Sequence, residues 1–171
     1  MSGKPAQLYD EDFVRWTEQQ AAALRDAAGL TTNLPLDWEN LAEEIDSLGR
    51  SLKHELRSRL MVILEHLLKL EYSPATAPRR GWIETISRER LIVEDLLEES
   101  PSLKAELGVA IEQALSRALR LAARSLSDYG EAGQVSPPSY TRDQVLGDWF
   151  PGDAAHPGPL PANGERGNAP A

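Results

Sequence analysis

Apolar side chains recur at helical spacing along most of this chain, and the longest such run dominates it. Between Leu36 and Tyr72, the residues Leu41, Ile45, Leu48, Leu52, Leu56, Leu60, Ile63, Leu67 and Leu70 follow one another at steps of three or four. That is close to the 3.6-residue period of an α-helix. Asp37 stands at the N-cap position, Leu36 and Leu41 are placed as a hydrophobic staple, and Pro35 keeps Leu34 out of helical geometry. Beyond Leu60, Met61, Val62, Leu64 and Leu68 make the pattern apolar on nearly every side, which predicts neighbours all round. The spacing predicts one long, buried, organising helix of roughly 50 Å, with Gly49 as the expected site of a bend.

Other segments repeat the pattern on a shorter scale. A first helix is predicted over Asp10 to Ala28, capped by Asp10, stopped by Gly29, and burying Tyr9, Phe13, Trp16, Gln20, Leu24 and Ala27. Pro74 and Pro78 mark Ser73 to Gly81 as a loop. A third helix is predicted from Trp82 to Glu99, burying Trp82, Ile86, Val93, Leu96 and Leu97. Ser100-Pro101 reads as a cap with a first-turn proline opening a fourth helix to about Asp128. Its expected inner face is Leu103, Leu107, Ala110, Ile111, Ala114, Ala118, Leu121 and Ala122, rich in alanine and so open to close backbone approach. Gly130 to Pro138 is expected to be loop. Thr141 and Gln144 form a T-x-x-Q capping box with Tyr140 and Val145 as staple, predicting a short fifth helix through Trp149.

Strand signals are nearly absent, since there is no alternating apolar run and no Asn-Gly or Asp-Gly hairpin turn. The expected fold is all-α: an up-and-down bundle of four main helices with a short C-terminal fifth helix and a disordered Pro/Gly/Ala-rich tail. The expected division is a flexible N-terminus over 1–7, one helical domain over 8–150, and the tail over 151–171.

Composition narrows the function classes. With 171 residues and 41% hydrophobic content the chain suits one domain and one core. No stretch of eighteen apolar residues exists, because Glu65, His66 and Lys69 interrupt the densest one, so no membrane span is expected. The start lacks the apolar core of a signal peptide, and there is no cysteine for a disulfide or a thiolate metal site; a cytoplasmic address is the default. A net charge of −9 disfavours nucleic-acid binding, which needs an excess of Lys and Arg. Basic residues do cluster locally. Arg79 and Arg80, and the strip Arg117, Arg120 and Arg124, are candidate anion or partner surfaces, set against the simpler reading as solvated ion-pair partners.

Catalytic machinery is not legible. Glycine-rich phosphate loops, a nucleophile elbow and H-E-x-x-H are absent, so no catalytic residue and no cofactor are assigned. His54 and His66 lack a glutamate three residues earlier and His156 lies in the tail, which argues against a di-iron centre. The acidic run Glu39, Glu43, Glu44 and Asp46 reads first as a response to the positive helix end rather than as a cation site. No metal is expected. Four tryptophans, Trp16, Trp38, Trp82 and Trp149, are expected as core anchors. The sharpest candidate is a buried polar cluster, because Arg59, His66, Glu89 and Arg90 all fall within or beside apolar stripes. Buried charge needs a partner, so these four are expected to meet, either to fix helix register or to serve a ligand or reaction.

The blocks LYDEDFVRWTEQQAAALR, LDWENLAEEIDSLGRS, HLLKLEY, GWIETISRER, LLEESPSL and SYTRDQVLGDWFPG, taken in order over Leu8 to Gly152, resemble one bacterial family, catalogued as domain of unknown function 29. The resemblance implies an all-helical fold and a bacterial source, and brings no catalytic residues. The leading expectation is a non-enzymatic module that binds a protein partner or forms an oligomer. An enzyme or small-ligand sensor using the polar cluster is the alternative, and a nucleic-acid-associated protein using the arginine strips comes third.

Overall fold

The long apolar ladder folds as one uninterrupted helix, Trp38–Tyr72, opened by Asp37, whose carboxylate accepts from the Asn40 N–H at 3.2 Å. The structure is a computed structural model that describes residues 5–30, 34–128 and 139–152. Within them the helices are α1 (Pro5–Glu11), α2 (Phe13–Ala28), α3 (Trp38–Tyr72), α4 (Arg79–Glu99), α5 (Leu107–Asp128) and α6 (Arg142–Leu146). A 3₁₀ turn, Pro101–Ala105, joins α4 to α5. The protein is all-α with four long helices and shorter ones, and no strand occurs among the described residues.

The core surrounds the C-terminal half of α3. Leu56, Leu60, Ile63, Leu64, Leu67 and Leu68 are each at most 1% exposed. At about 1.5–3 kcal/mol per buried side chain, these six outweigh any single polar contact in the molecule. Two helices cover them. Arg79 reaches the Leu70 carbonyl and Glu89 reaches Arg59, so α4 runs antiparallel to α3. Glu106 pairs with Lys53 at one end of α5 while Ser125 and Leu126 share a concavity with Lys69 and Ser73 at the other, so α5 runs parallel to α3. Ala110, Ala114, Ala118 and Ala122, all buried, form the face of α5 that packs there. Leu121, expected in this face, is 40% exposed.

The N-terminal part of α3 is covered differently. Thr17 touches Gly49, Glu18 pairs with Lys53, and Arg25 pairs with Asp46, so α2 lies antiparallel to this part. Here α3 and α2 make a two-helix arm beyond the reach of α4 and α5. The ladder reflects that change of cover: Leu41 is 40% and Leu48 49% exposed, which corrects the expectation of a helix buried along its length.

Several local expectations also need correction. The first helix is two, because Asp12 leaves helical geometry and caps α2 in place of Asp10. Its buried face is Val14, Thr17 and Ala21, not the Phe13–Trp16–Leu24 stripe, which stays half-buried. The helix α1 runs over Pro5–Glu11. The helix α4 begins at Arg79, three residues before Trp82. Ser100 precedes the 3₁₀ turn with Pro101 at its start but makes no side-chain capping bond to that turn, and α5 starts only at Leu107. The capping box of α6 is present as read, with Thr141 and Gln144 exchanging bonds at 2.9 and 3.2 Å. That helix stops at Leu146, however, and Trp149 is 37% exposed; Trp16, Trp38 and Trp82 are only half-buried, so none of the four is a full core anchor. The loop expected over 130–138 and the tail beyond Gly152 lie outside the described residues, while Pro151 is buried.

Gly49 provides close approach. A Cβ there would collide with the Thr17 hydroxyl, which is itself buried and donates to the Val14 carbonyl at 2.7 Å. Gly49→Ala gains about 1 kcal/mol of helix propensity but forces apart two packed helices, a strain of roughly 1–3 kcal/mol. A lower urea midpoint is expected for Gly49→Ala, and its recovery in the Thr17→Ala/Gly49→Ala double variant; an unchanged midpoint in the single variant would refute the contact.

Candidate interaction surface

The four residues expected to form one polar cluster are divided among three local arrangements. Arg59 and Glu89 do meet, at 3.3 Å across α3 and α4, and Arg59 also pairs with Glu55 at 3.0 Å. The Glu55 hydrogen bond, partly opposed by desolvation and then helped by Glu89, raises the Arg59 pKa. His66 is not with them: its Nδ1 lies 2.9 Å from the Val62 carbonyl of its own helix. Arg90 points elsewhere again. Its Nε donates to the Val145 carbonyl at 2.9 Å, and its Nη2 donates to those of Gln144 and Trp149 at 2.9 and 2.8 Å. The guanidinium also stands 4.8 Å from the Phe150 ring centroid. Burial lowers its pKa, yet an arginine stays charged at neutral pH. Arg90 is thus the peg on which α6 and the residues after it hang.

Of the arginines read as candidate anion surfaces, two already have partners. Arg79 donates to the Leu70 and Ser73 carbonyls and so closes the end of α3, while Arg80 pairs with Glu84 one turn on. Arg117, Arg120 and Arg124 are exposed on α5, with no carboxylate within ion-pair distance among the described residues. In the acidic run, Glu43 and Asp46 are bound by Arg25 and Arg50. Among the described residues no group of three or more His, Cys, Asp or Glu is placed to hold a metal.

Two sets of contacts that the sequence did not reveal join the arm to the rest. The Asp12 carboxylate accepts from the Arg15 N–H at 3.0 Å, the Ser102 N–H at 2.7 Å and the Ser102 hydroxyl at 2.8 Å. Ser100 Oγ accepts from the Val14 N–H at 3.2 Å. The Arg15 and Val14 N–H groups at the start of α2, which no intrahelical carbonyl can reach, are thereby satisfied by the side chains of Asp12 and Ser100. Lys53 bridges Glu18 at 2.8 Å and Glu106 at 2.6 Å, tying α3 to α2 and to the start of α5. Desolvation lowers its pKa, but the bonds to Glu106 and Glu18 outweigh that and the net shift is upward. Only the aspartate cap itself had a local signal.

These contacts fix how the arm is turned. Arg25, Glu18, Glu43, Asp46, Arg50 and Lys53 all lie along one side, where they pair across or along the two helices. At 100° per residue, Leu41, Ile45, Leu48 and Leu52 fall within about 60° on the opposite flank of α3. On α2, Phe13, Trp16, Gln20, Leu24 and Ala27 fall within about 80° on the flank away from Arg25 and Glu18. The arm is therefore amphipathic as a unit, charged and internally paired on one side, apolar on the other. Tyr9 packs edge-on to Phe13 and Trp16 at 5.4 and 4.8 Å and extends that side while remaining 50% exposed. Leu30, Leu34 and Leu36 stand exposed at its tip.

The concavities lie away from this side. One of about 480 Å³ between α4, the 3₁₀ turn and α6 is lined by Arg90, Leu91, Glu94, Lys104 and Asp148, but by neither His66 nor Glu89. Another, of about 330 Å³, lies beside Lys69, Trp82 and Leu126. No helix of the described residues is long and apolar enough to cross a membrane.

A fold of this kind, all-helical and assembled on one long helix, defines a class of protein rather than an activity. Residues 8–150 match the family described as Domain of unknown function DUF29, and the chain belongs to it. A solved structure, an alpha-helical protein of unknown function from Rhodospirillum rubrum, is similar at 26% identity and a TM-score of 0.68, over 86% of this chain and 94% of that one. Comparison with curated proteins gave no match.

Two outcomes test the polar contacts. Arg90→Met leaves three carbonyls without their charged donor, and at about 1.5 kcal/mol per such bond a loss of roughly 4–5 kcal/mol is expected. Hydrogen exchange should quicken over 140–152 before the rest of the chain; uniform quickening would contradict the peg. Lys53 faces two largely exposed carboxylates, so screening holds its contribution to about 1 kcal/mol. The folded chain keeps the Lys53 proton more firmly than the unfolded chain, whose lysine titrates near 10.5. Its contribution is fully present below that value and fades as pH rises through the higher folded value. The stability gap between wild type and Lys53→Met should shrink from pH ~8 to pH ~11; a constant gap would show that the bridge is idle.

Proposed function

We propose that the protein is a helical interaction module that works by binding another polypeptide through the apolar side of the α2–α3 arm. One observation carries this reading. Leu41, Leu48, Leu36 and Tyr9 are each 40–50% exposed on or beside a single side of the arm, whereas the charges flanking its other side are paired within the chain. Contiguous exposed apolar surface of this kind is characteristic of association sites. The buried polar residues support the same reading from the opposite direction, since Glu89, Arg90 and Asp12 are each engaged by structural partners. A cysteine-free composition suits a reducing compartment such as the cytoplasm.

The missing cysteines also supply the test. Leu48→Cys accepts a single thiol-directed photo-crosslinker, and so does Leu91→Cys on α4, where Leu91 is 62% exposed. Irradiation in a lysate of the cells that make the chain should give polypeptide adducts of defined mass from position 48 and not from position 91, and Leu41→Glu should abolish them. No adduct at 48, or equal adducts at both positions, would overturn the reading.

A further inference from the structure

Resting on that reading, we infer that the polypeptide bound by the arm is a second copy of this chain, with two arms packed apolar side to apolar side about a two-fold axis. Each arm is a layer of two antiparallel helices with one side bare, and two such layers stacked make a four-helix bundle. A two-fold axis presents the same patch from each copy, so the patch must be complementary to itself.

Three features meet that requirement. The first is charge. Two copies of net charge −9 repel each other, so a joint between them must add no further like charge. The stripes Phe13–Trp16–Gln20–Leu24–Ala27 and Leu41–Ile45–Leu48–Leu52 contain no ionisable group; Glu18, Arg25, Glu43, Asp46, Arg50 and Lys53 are on the far side, paired with one another, while exposed Glu44 borders Leu41 and Leu48. The second is Gln20, the single polar side chain in these stripes. A primary amide donates and accepts, so it can satisfy the same group of a second copy. The third is extent. Fourteen or so residues of each helix, at 1.5 Å per residue and about 10 Å of width per helix, give a side of roughly 20–25 Å by 20 Å. That is on the order of 500 Å² per copy and about 1,000 Å² for two, at the lower bound of specific interfaces. The pairing is accordingly expected to be reversible and micromolar.

The direction of docking is visible in the chain itself. Arg59, which meets α4 through Glu89, lies on the same flank of α3 as Leu41, Leu48 and Leu52. A helix of the second copy would therefore continue along α3 the cover that α4 provides over its C-terminal half.

Sedimentation velocity of the full chain between about 1 and 300 μM tests this. Wild type should move from monomer to dimer across that range. Leu48→Glu and Leu41→Glu put a charge into the joint and should each weaken association by about 100-fold. Both positions are substantially exposed, so helicity and thermal midpoint should stay at the wild-type values. Leu91→Glu on α4 and Val109→Glu on α5, at positions 62% and 60% exposed, should leave the dimer intact. A wild type monomeric throughout, a dimer indifferent to Leu48→Glu and Leu41→Glu, or one broken equally by Leu91→Glu would each overturn the inference. A monomeric wild type that still gives adducts from position 48 with some other polypeptide would remove the second copy and leave the interaction module standing.

Discussion

The structure depends on a mismatch of length. The helix α3 has 35 residues, whereas α4 and α5, the helices that pack along it, have 21 and 22. At 1.5 Å per residue the central helix outruns its cover by roughly 20 Å. An isolated helix that projects so far, with leucine on one stripe, gains little from propensity alone and needs tertiary contact to persist. The chain supplies that contact with α2, laid back along the projecting part. A single helix, however, covers a single side. The exposed stripe through Leu41 and Leu48 is what remains when one neighbour does the work that two do further along.

The point at which the cover changes is where the specific polar contacts concentrate. Asp12, Ser100, Ser102 and Lys53 all act at the level where α4 ends, α5 begins and α2 starts. Helix ends carry unsatisfied donors and acceptors, and three helices terminating at one level would leave many of them facing one another. The break between α1 and α2 resolves part of this, since Asp12 in extended geometry reaches both its own helix and the 3₁₀ turn. Lys53 then ties the arm's two helices to α5 from the outside. The arm is held at its base by hydrogen bonds and ion pairs, and along its length by small residues, Ala21, Ala42 and Gly49.

How much of this was legible in the sequence follows from the range of each interaction. Helix periods, the Asp37 cap, the Thr141–Gln144 box and the alanine face of α5 are set by residues within a few positions of one another, and all are readable from the chain. Which apolar residues end up covered is not local. Leu48 and Leu60 occupy the same ladder with the same spacing, yet one is 49% exposed and the other 0%, because only one lies opposite α4 and α5. The polar cluster shows the same limit. Periodicity places Arg59, Glu89 and Arg90 on inward faces, and Glu89 and Arg90 are buried as that implies. Their partners come from elsewhere: Arg90 is met by backbone carbonyls 54 to 59 residues away, and a carbonyl leaves no signature in a sequence. The Asp12–Ser102 contact spans 90 residues and was equally hidden.

The distribution of satisfied and unsatisfied surface bears on where function arises. Among the described residues no buried side-chain nitrogen or oxygen lacks a hydrogen-bond partner. Diverting one of these groups to a ligand would strand its present partner in a low-dielectric interior, at a cost of about 1–3 kcal/mol that the ligand would first have to offset. Covering Leu41 and Leu48 carries no such penalty, because apolar surface leaving water is favourable at about 25 cal/mol per Å². The bare side of the arm is thus the direction in which this fold gains free energy by meeting something else, and its charged side, already neutralised within the chain, is the direction in which it does not.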